Sequence, residues 1–366
     1  MKSENPPAST SSATQDRLFS VDAFRGFTMF CMFAGPFGLD LFEHHWFLGH
    51  IVWQLDHAEW TGMHFWDLIQ PFFMFIVGVV MPYSFARRWA RGESWNESLM
   101  HVLRRAALLI GWGLVARSIG AGRPNLDLIN VLAQIAFTYT VAFLILKKSW
   151  KFQASVALLL LVAHTLLYLF VRVDGVEGPW VRNANIGQAL DLMILGKTWG
   201  GSYATINCVS SAFNTILGVL TGSLLFSKES LSRKTRILAY SGLGLVVAGL
   251  ALHPFIPINK KIWTASFAIL SGGITVLALL LFYWVCDVWK RRAWAGLFVM
   301  IGANSIFIYL FHEILGRWMR HTAPTFTNWA EPFVGVWAPF TAAWLAIALQ
   351  VYVCWWLYQR RIFFKL

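Results

Sequence analysis

Residues 66–86 read WDLIQPFFMFIVGVVMPYSFA, and this stretch decides the fold because it carries a single charged residue, Asp67, in 21 positions. A helix needs about 20 predominantly apolar residues to cross the hydrocarbon of a bilayer. The stretch therefore predicts a transmembrane helix. Pro71 lies close to its start, where a helix tolerates proline.

The composition of the whole chain points the same way. Hydrophobic residues make up 57% of the 366 residues and charged residues only 13%, with a mean hydropathy of +0.56. Soluble domains carry roughly 25% charged residues, so a soluble enzyme and a largely disordered chain are both excluded. The composition predicts an all-α polytopic membrane protein.

Apolar stretches of membrane-spanning length recur along the chain. We predict a disordered cytoplasmic tail over residues 1–16 and one transmembrane domain over residues 17–366. The domain is expected to be a bundle of about ten helices, near 19–42, 66–86, 100–119, 126–146, 152–171, 207–226, 236–253, 262–286, 293–315 and 333–358.

The distribution of basic residues gives the orientation. With ten spans and a cytoplasmic N-terminus, about 20 of the 30 Lys and Arg residues fall on the cytoplasmic side, as expected for inside loops. This bias also accounts for the net charge of +12 without nucleic acid. Both termini are therefore predicted to be cytoplasmic.

Asp22 and Arg25 are ionisable residues within the first apolar stretch, three positions apart. Residues at this spacing share a helix face and can pair. Charged groups inside membrane spans are costly and commonly functional. A structural ion pair and a role in holding an anionic ligand both remain open.

Five of the ten histidines lie within residues 44–64, without the spacing of a helical metal site. His57 differs from the others because it precedes a Trp, a Gly turn, an acid and a helix start, in HAEWTGMHFWDLIQPFF. Histidine titrates near neutral pH, so His57 is a candidate catalytic residue. Asp67 either caps the following helix or orients this histidine.

The stretch GANSIFIYLFHEIL, residues 302–315, places Asn304 and His312 two helical turns apart on one face. In lipid their polar groups would be unsatisfied, whereas in the bundle interior they can line a polar cavity. Hydrogen bonding between helices is the alternative.

Several of these motifs resemble the heparan-α-glucosaminide N-acetyltransferase family. The resemblance begins with RLFSVDAFRGFTMFCMF and HAEWTGMHFWDLIQPFFMFIVGVVMPYS, and it continues through NVLAQIAFTY, ILGVLTGSLL, PINKKIWTASFAILSGG and IGANSIFIYLFHEIL. It covers about residues 17–315, in the same order and with similar spacing. Members of this family are multi-span enzymes that depend on acetyl-CoA.

The resemblance implies transmembrane transfer of an acetyl group from acetyl-CoA to an extracytoplasmic sugar or glycan. The active-site histidine of the family corresponds to His57, as a general base or as a nucleophile that forms an acetyl-imidazole, with Asp67 holding the tautomer. The remaining expected contacts are with the phosphates of CoA and with the acceptor: Arg25, Arg104 and Arg105 for CoA, and Trp60, Asn304, His312, Lys260 and Trp263 for the acceptor. No metal is expected.

The chain departs from the family pattern at three places. Gly35 and Thr61 stand where members have Asn, and Ala133–Gln134 stands where members have a Gln–Arg pair. These departures leave the acceptor open.

The N-terminal extension of the lysosomal enzyme has no counterpart in the matching motifs. We therefore expect this protein to lie in a prokaryotic cytoplasmic (inner) membrane. The expected partners are acetyl-CoA, the acceptor and the bilayer, with a homodimer left open. Two other functions remain as alternatives: a sugar or glycolipid transporter or flippase, and an envelope polysaccharide O-acetyltransferase.

Overall fold

The computed structural model describes residues 18–364 of the chain. Within that range it consists of helices and connecting loops, without β-strands. The predicted tail, residues 1–16, lies outside the described residues. The helices are α1 Phe19–Ala34, α2 Leu48–Gln54, α3 Ile69–Trp89, α4 Trp95–Ala121, α5 Val131–Leu144, α6 Trp150–Phe170, α7 Ile186–Leu195, α8 Asn207–Leu225, α9 Leu231–Leu252, α10 Ala265–Tyr283, α11 Gly296–Ala303, α12 Ser305–Thr322, α13 Glu331–Val334 and α14 Trp337–Gln359.

The fold is that of a polytopic membrane protein, but the predicted count of ten spans is not confirmed. Seven helical segments of the described chain are long and apolar enough to cross a membrane, and an eighth span is available if the pair α11 and α12, bent by 71°, is counted as one. The shorter α1 and α5 have only 16 and 14 residues. Helix α1 ends at Ala34, and the next residue, Gly35, adopts a positive φ of 60°, which a right-handed helix does not contain.

The centre of the bundle is formed by α1, α3, α8 and α10, whose side chains contribute most of the main apolar core. Helices α3 and α8 approach closely because glycines face backbone: Gly78 lies against Thr215, Gly218 against Phe75 and Gly222 against Val79. In a bilayer, small residues allow this close packing, which replaces the hydrophobic effect as the source of helix association.

The start of α3 is built by a short 3₁₀ turn, Phe65–Leu68, in which Asp67 is buried. One carboxylate oxygen of Asp67, Oδ2, accepts hydrogen bonds from the backbone N–H groups of His64 at 3.0 Å and Ala58 at 3.2 Å. The carboxylate therefore caps the start of α3 and also ties down the loop that carries His57.

Candidate active site

His57, Asp67 and Lys260 form a hydrogen-bonded cluster. The ring Nδ1 of His57 lies 2.8 Å from Oδ1 of Asp67 and 3.2 Å from Nζ of Lys260. Lys260 Nζ is also 3.5 Å from the same carboxylate oxygen. The side chain of His57 is 43% exposed, whereas that of Asp67 is 1% exposed. One edge of the imidazole is thus held by buried charges while the ring remains accessible.

The contacts expected for the two alternative roles of Asp67 are both present, one at each carboxylate oxygen, and its catalytic role stays a prediction. Oδ2 caps the helix start and Oδ1 accepts from the imidazole. Within the described part of the chain, the ring Nε2 of His57 has no hydrogen-bond partner. A histidine held by a carboxylate at one nitrogen and free at the other is the arrangement of a general base or a nucleophile.

Lys260 is positioned by a tightly bonded loop between α9 and α10. The hydroxyl of Thr264 accepts from the backbone N–H of Asn259 at 3.0 Å and donates to the carbonyl of Pro257 at 2.8 Å. The backbone N–H of Gly62 donates to the carbonyl of Ile258 at 2.8 Å. This last bond joins the Lys260 loop to the segment that carries His57.

The neighbouring Trp263 is fully buried and fixes the same loop to α8. Its ring N–H donates to the side-chain oxygen of Asn214 at 3.2 Å, and its carbonyl accepts from the hydroxyl of Ser210 at 2.7 Å. Trp263 has a positive φ of 47°, a conformation that bulky residues rarely adopt unless their surroundings impose it. These contacts hold the loop in one shape beside His57.

Burial shifts the pKa of Lys260, in the cluster, and that of Tyr203, on a neighbouring loop. Desolvation lowers the pKa of the Lys260 ammonium to about 8, and the adjacent carboxylate of Asp67 opposes that fall. Burial raises the pKa of the Tyr203 hydroxyl to about 12, with a contribution from the charge of Asp67. At neutral pH, Lys260 is therefore charged and Tyr203 is neutral.

His57 lies on the wall of a cavity of about 350 Å³, named here the histidine cavity. Its wall includes Lys260 and Trp263, both predicted as acceptor contacts. It also contains polar side chains that the sequence analysis did not single out as site residues: Gln70, Arg117, Asn130, Gln134, Tyr203, Asn207, Tyr309 and Glu313. Isolated polar residues within apolar stretches were the available signal for several of these.

A larger cavity of about 1030 Å³ lies toward the other end of the bundle and is named the arginine cavity. Its wall contains all three residues predicted to contact CoA, Arg25, Arg104 and Arg105, and also Arg88 and His101, which the sequence analysis did not select. Within the described residues, Arg104 and Arg105 form no ion pair with a carboxylate. Arg25 instead lies 3.0 Å from Asp22.

A third cavity of about 70 Å³, named the neck, lies between these two. It shares Arg25, Arg105, Ser305 and Ile306 with the arginine cavity, and it shares Phe73 with the histidine cavity. The rest of its wall is apolar, including Val80 and Leu109. The neck therefore adjoins both larger cavities.

The distance between the walls of the two larger cavities is close to the thickness of the hydrocarbon region of a bilayer. Along α3, the histidine cavity includes Gln70 and the arginine cavity includes Arg88, which places their walls about 27 Å apart at 1.5 Å per residue. The hydrocarbon of a bilayer is about 30 Å thick. The two cavities thus open toward opposite ends of the membrane-spanning region.

Three predicted acceptor contacts lie away from these cavity walls. The ring N–H of Trp60 donates to the carbonyl of Trp180 at 2.9 Å, and the side-chain amide of Asn304 donates to the carbonyl of Ile362 at 2.9 Å. His312 Nδ1 lies 3.0 Å from the side-chain oxygen of Gln350 on α14. Hydrogen bonding between helices, the alternative considered for His312, describes this contact. Acceptor binding by the three residues stays a prediction.

The histidine-rich segment that precedes His57 holds no metal cluster. No group of three or more His, Cys, Asp or Glu residues within residues 18–364 is arranged to hold a metal ion. His44, His45 and His50 are exposed.

Residues 17–186 match the family model described as heparan-alpha-glucosaminide N-acetyltransferase, catalytic. The chain is 26% identical to the heparan-alpha-glucosaminide N-acetyltransferase of Homo sapiens over 97% of its own length, and 26% identical to that of Mus musculus over 98%. It spans 61% and 62% of the length of these two relatives. The matched region includes α1, α3 and the His57 segment, and over this region the chain is similar to the catalytic part of the heparan-alpha-glucosaminide N-acetyltransferase family.

Proposed function

We propose that this protein is a membrane-bound acetyltransferase that takes an acetyl group from acetyl-CoA on one side of the membrane and transfers it to a sugar acceptor on the other. The observation that carries the proposal is the line of cavities between Arg105 and His57. A site rich in arginine suits phosphates, and the far end of the path carries a histidine oriented by a carboxylate.

In this proposal the nucleotide of CoA occupies the arginine cavity. Arg104 and Arg105 contact its phosphates, because neither guanidinium is paired with a carboxylate among the described residues. Arg25 stands where the cavity enters the neck. The pantetheine arm, which is narrow and flexible, extends along the neck past Val80 and Phe73. Its thioester then reaches the histidine cavity.

At His57, two routes of transfer are compatible with the geometry. As a general base, Nε2 takes the proton of the acceptor amine or hydroxyl as that group attacks the thioester carbonyl, and the CoA thiolate leaves. As a nucleophile, Nε2 attacks the thioester, releases the CoA thiolate and passes the acetyl group on from an acetyl-imidazole. In both routes Asp67 accepts from Nδ1 and stabilises the positive charge that develops on the ring.

We place the arginine cavity on the cytoplasmic side and propose ten spans with both termini cytoplasmic. Seven segments are long enough to span by themselves, α11 and α12 together supply an eighth, and the shorter α1 and α5 supply the other two. The excess of Lys and Arg in the proposed inside loops supports this orientation. The proposed location is a prokaryotic cytoplasmic membrane.

The test is release of CoA thiol from acetyl-CoA by the purified full-length protein, with glucosamine as the acceptor probe. We expect acceptor-dependent release by the natural protein and none by His57→Ala. The matched control is His50→Ala, which removes an exposed imidazole from the same segment and is expected to retain activity. Turnover that survives in His57→Ala would overturn the assignment. Transport of glucosamine into vesicles by both proteins, without CoA release, would instead favour the transporter alternative.

A further inference from the structure

Lys260 adds a positive charge to a cluster whose histidine and carboxylate already resemble a catalytic pair. It comes from a loop 203 residues away in sequence, yet its Nζ lies 3.2 Å from Nδ1 of His57. The residue is only 7% exposed. A buried ammonium is costly, and this one is held in place by the bonded loop described above.

The positive charge of Lys260 and the negative charge of Asp67 have opposite effects on the protonation of the His57 ring. A buried carboxylate beside an imidazole favours the protonated, positively charged ring, whereas a nearby ammonium disfavours it. The lowered pKa of Lys260, about 8, still leaves its ammonium protonated at neutral pH. The carboxylate and the ammonium therefore compensate each other, and the pair as a whole has no net charge beside the ring.

Other charged groups surround His57, but within the described residues only Asp67 and Lys260 have a charged atom within 3.5 Å of its ring nitrogens. Arg182 is paired with Glu59 at 2.8 Å, and Arg117, across the cavity, is paired with Asp127 at 2.7 Å. The other titratable groups around the ring, on its own loop, on the adjoining loops and on α12, are Asp56, His64, Lys261, Tyr203, Tyr309 and Glu313.

We propose that Lys260 is a positioning residue whose ammonium charge keeps the ring of His57 neutral before reaction, with Nδ1 protonated toward Asp67 and Nε2 unprotonated on the side of the histidine cavity. Both routes of acetyl transfer start from an unprotonated Nε2. The catalytic meaning of this inference rests on the proposed function. The protonation state of the ring is a property of the protein alone and is measured without acetyl-CoA.

The first experiment measures the pH dependence of His57 acylation by diethylpyrocarbonate, which reacts with neutral imidazole. The full-length protein in detergent is treated over a pH series, and mass spectrometry follows the peptide that carries His57. Replacing Lys260 by Met removes the charge, replacing it by Arg retains the charge, and Lys261→Met removes the adjacent lysine as a matched control. His50 serves as an internal reference.

In Lys260→Met, the pH of half-maximal reaction at His57 is expected to rise by about one unit or more, since a charge within a few ångströms has effects of that size. Lys260→Arg, Lys261→Met and the reaction at His50 are expected to match the natural protein. An unchanged or lower midpoint at His57 in Lys260→Met would overturn the inference. If Lys260→Met does not fold, Lys260→Gln has to show the same upward shift or the inference fails.

A second experiment separates this inference from the proposed function. In Lys260→Met, CoA release should be lost at pH 6.5 and recovered at pH 8.5, whereas Lys260→Arg should remain active at both. Loss at both pH values would contradict a role through charge. Absence of CoA release from the natural protein, together with a shifted midpoint of acylation, would refute the proposed function and leave the charge inference standing.

Discussion

Replacing Asp67 by Asn changes a single atom of a buried side chain that accepts from three N–H groups and lies 3.5 Å from the ammonium of Lys260. The carboxylate accepts from the ring Nδ1 of His57 at 2.8 Å and from the backbone N–H groups of His64 and Ala58 at 3.0 and 3.2 Å. An amide has one accepting oxygen and one donating NH₂ group. Whichever way it turns, the amide places a donor against donors.

Two results follow from this mismatch. If the NH₂ group of the Asp67→Asn variant faces His57, it holds the wrong tautomer, with the hydrogen on Nε2, and acetyl transfer should fall by about 10²- to 10⁴-fold. If it faces His64 and Ala58, the helix cap is broken. In this second orientation the buried backbone N–H groups lose their partner, and the free energy of unfolding should decrease by about 1–3 kcal/mol.

The assay is acceptor-dependent CoA release at saturating acetyl-CoA, combined with the thermal unfolding midpoint in detergent. Asp56→Asn is the matched control. Asp56 is exposed, and among the described residues its carboxylate accepts only from the backbone N–H of His57, at 2.7 Å; an amide oxygen can replace it. The reasoning is refuted if Asp67→Asn keeps more than about a tenth of the natural rate at an unchanged midpoint.

Three further predictions concern the cavities and the packing. Arg105→Gln should raise the KM for acetyl-CoA by roughly tenfold or more, because one charge-assisted phosphate contact contributes about 1.5–3 kcal/mol; an unchanged KM would remove Arg105 from the CoA site. Val80→Phe should fill the neck and abolish acetyl transfer, while labelled acetyl-CoA should still bind in equilibrium dialysis. The control variant Val247→Phe, at an exposed position of α9, should transfer acetyl groups at the natural rate. Gly218→Ala should lower the unfolding midpoint in detergent, since overpacking costs about 1–3 kcal/mol, whereas Gly111→Ala has open space and should not.

Much of the candidate site could be predicted from the sequence because its signals are local. His57 and Asp67 lie ten residues apart in one segment, and a histidine before a helix that starts with an acid is visible in the sequence itself. The prediction that Arg25, Arg104 and Arg105 act together was also open to sequence reasoning, because basic residues near one end of successive spans share one side of a membrane. All three lie on one cavity wall.

The residues on the opposite wall of the histidine cavity were harder to identify. In the pair His312–Glu313, the sequence pattern favoured the histidine as a site residue, yet Glu313 lines the cavity and His312 contacts Gln350. Neighbouring residues on a helix point about 100° apart. Which of them faces the cavity depends on how the helix is rotated against its neighbours, and packing alone sets that rotation.

The sequence by itself determined that the chain enters a bilayer, since hydropathy and charge are sums over residues that folding does not change. It also determined the chemical groups available and the segment that carries the imidazole. Only the tertiary structure decided that Lys260 meets His57 across 203 residues and that the three cavities adjoin one another. Distances between remote side chains depend on how helices pack, bend and end, and no local pattern of residues encodes those distances.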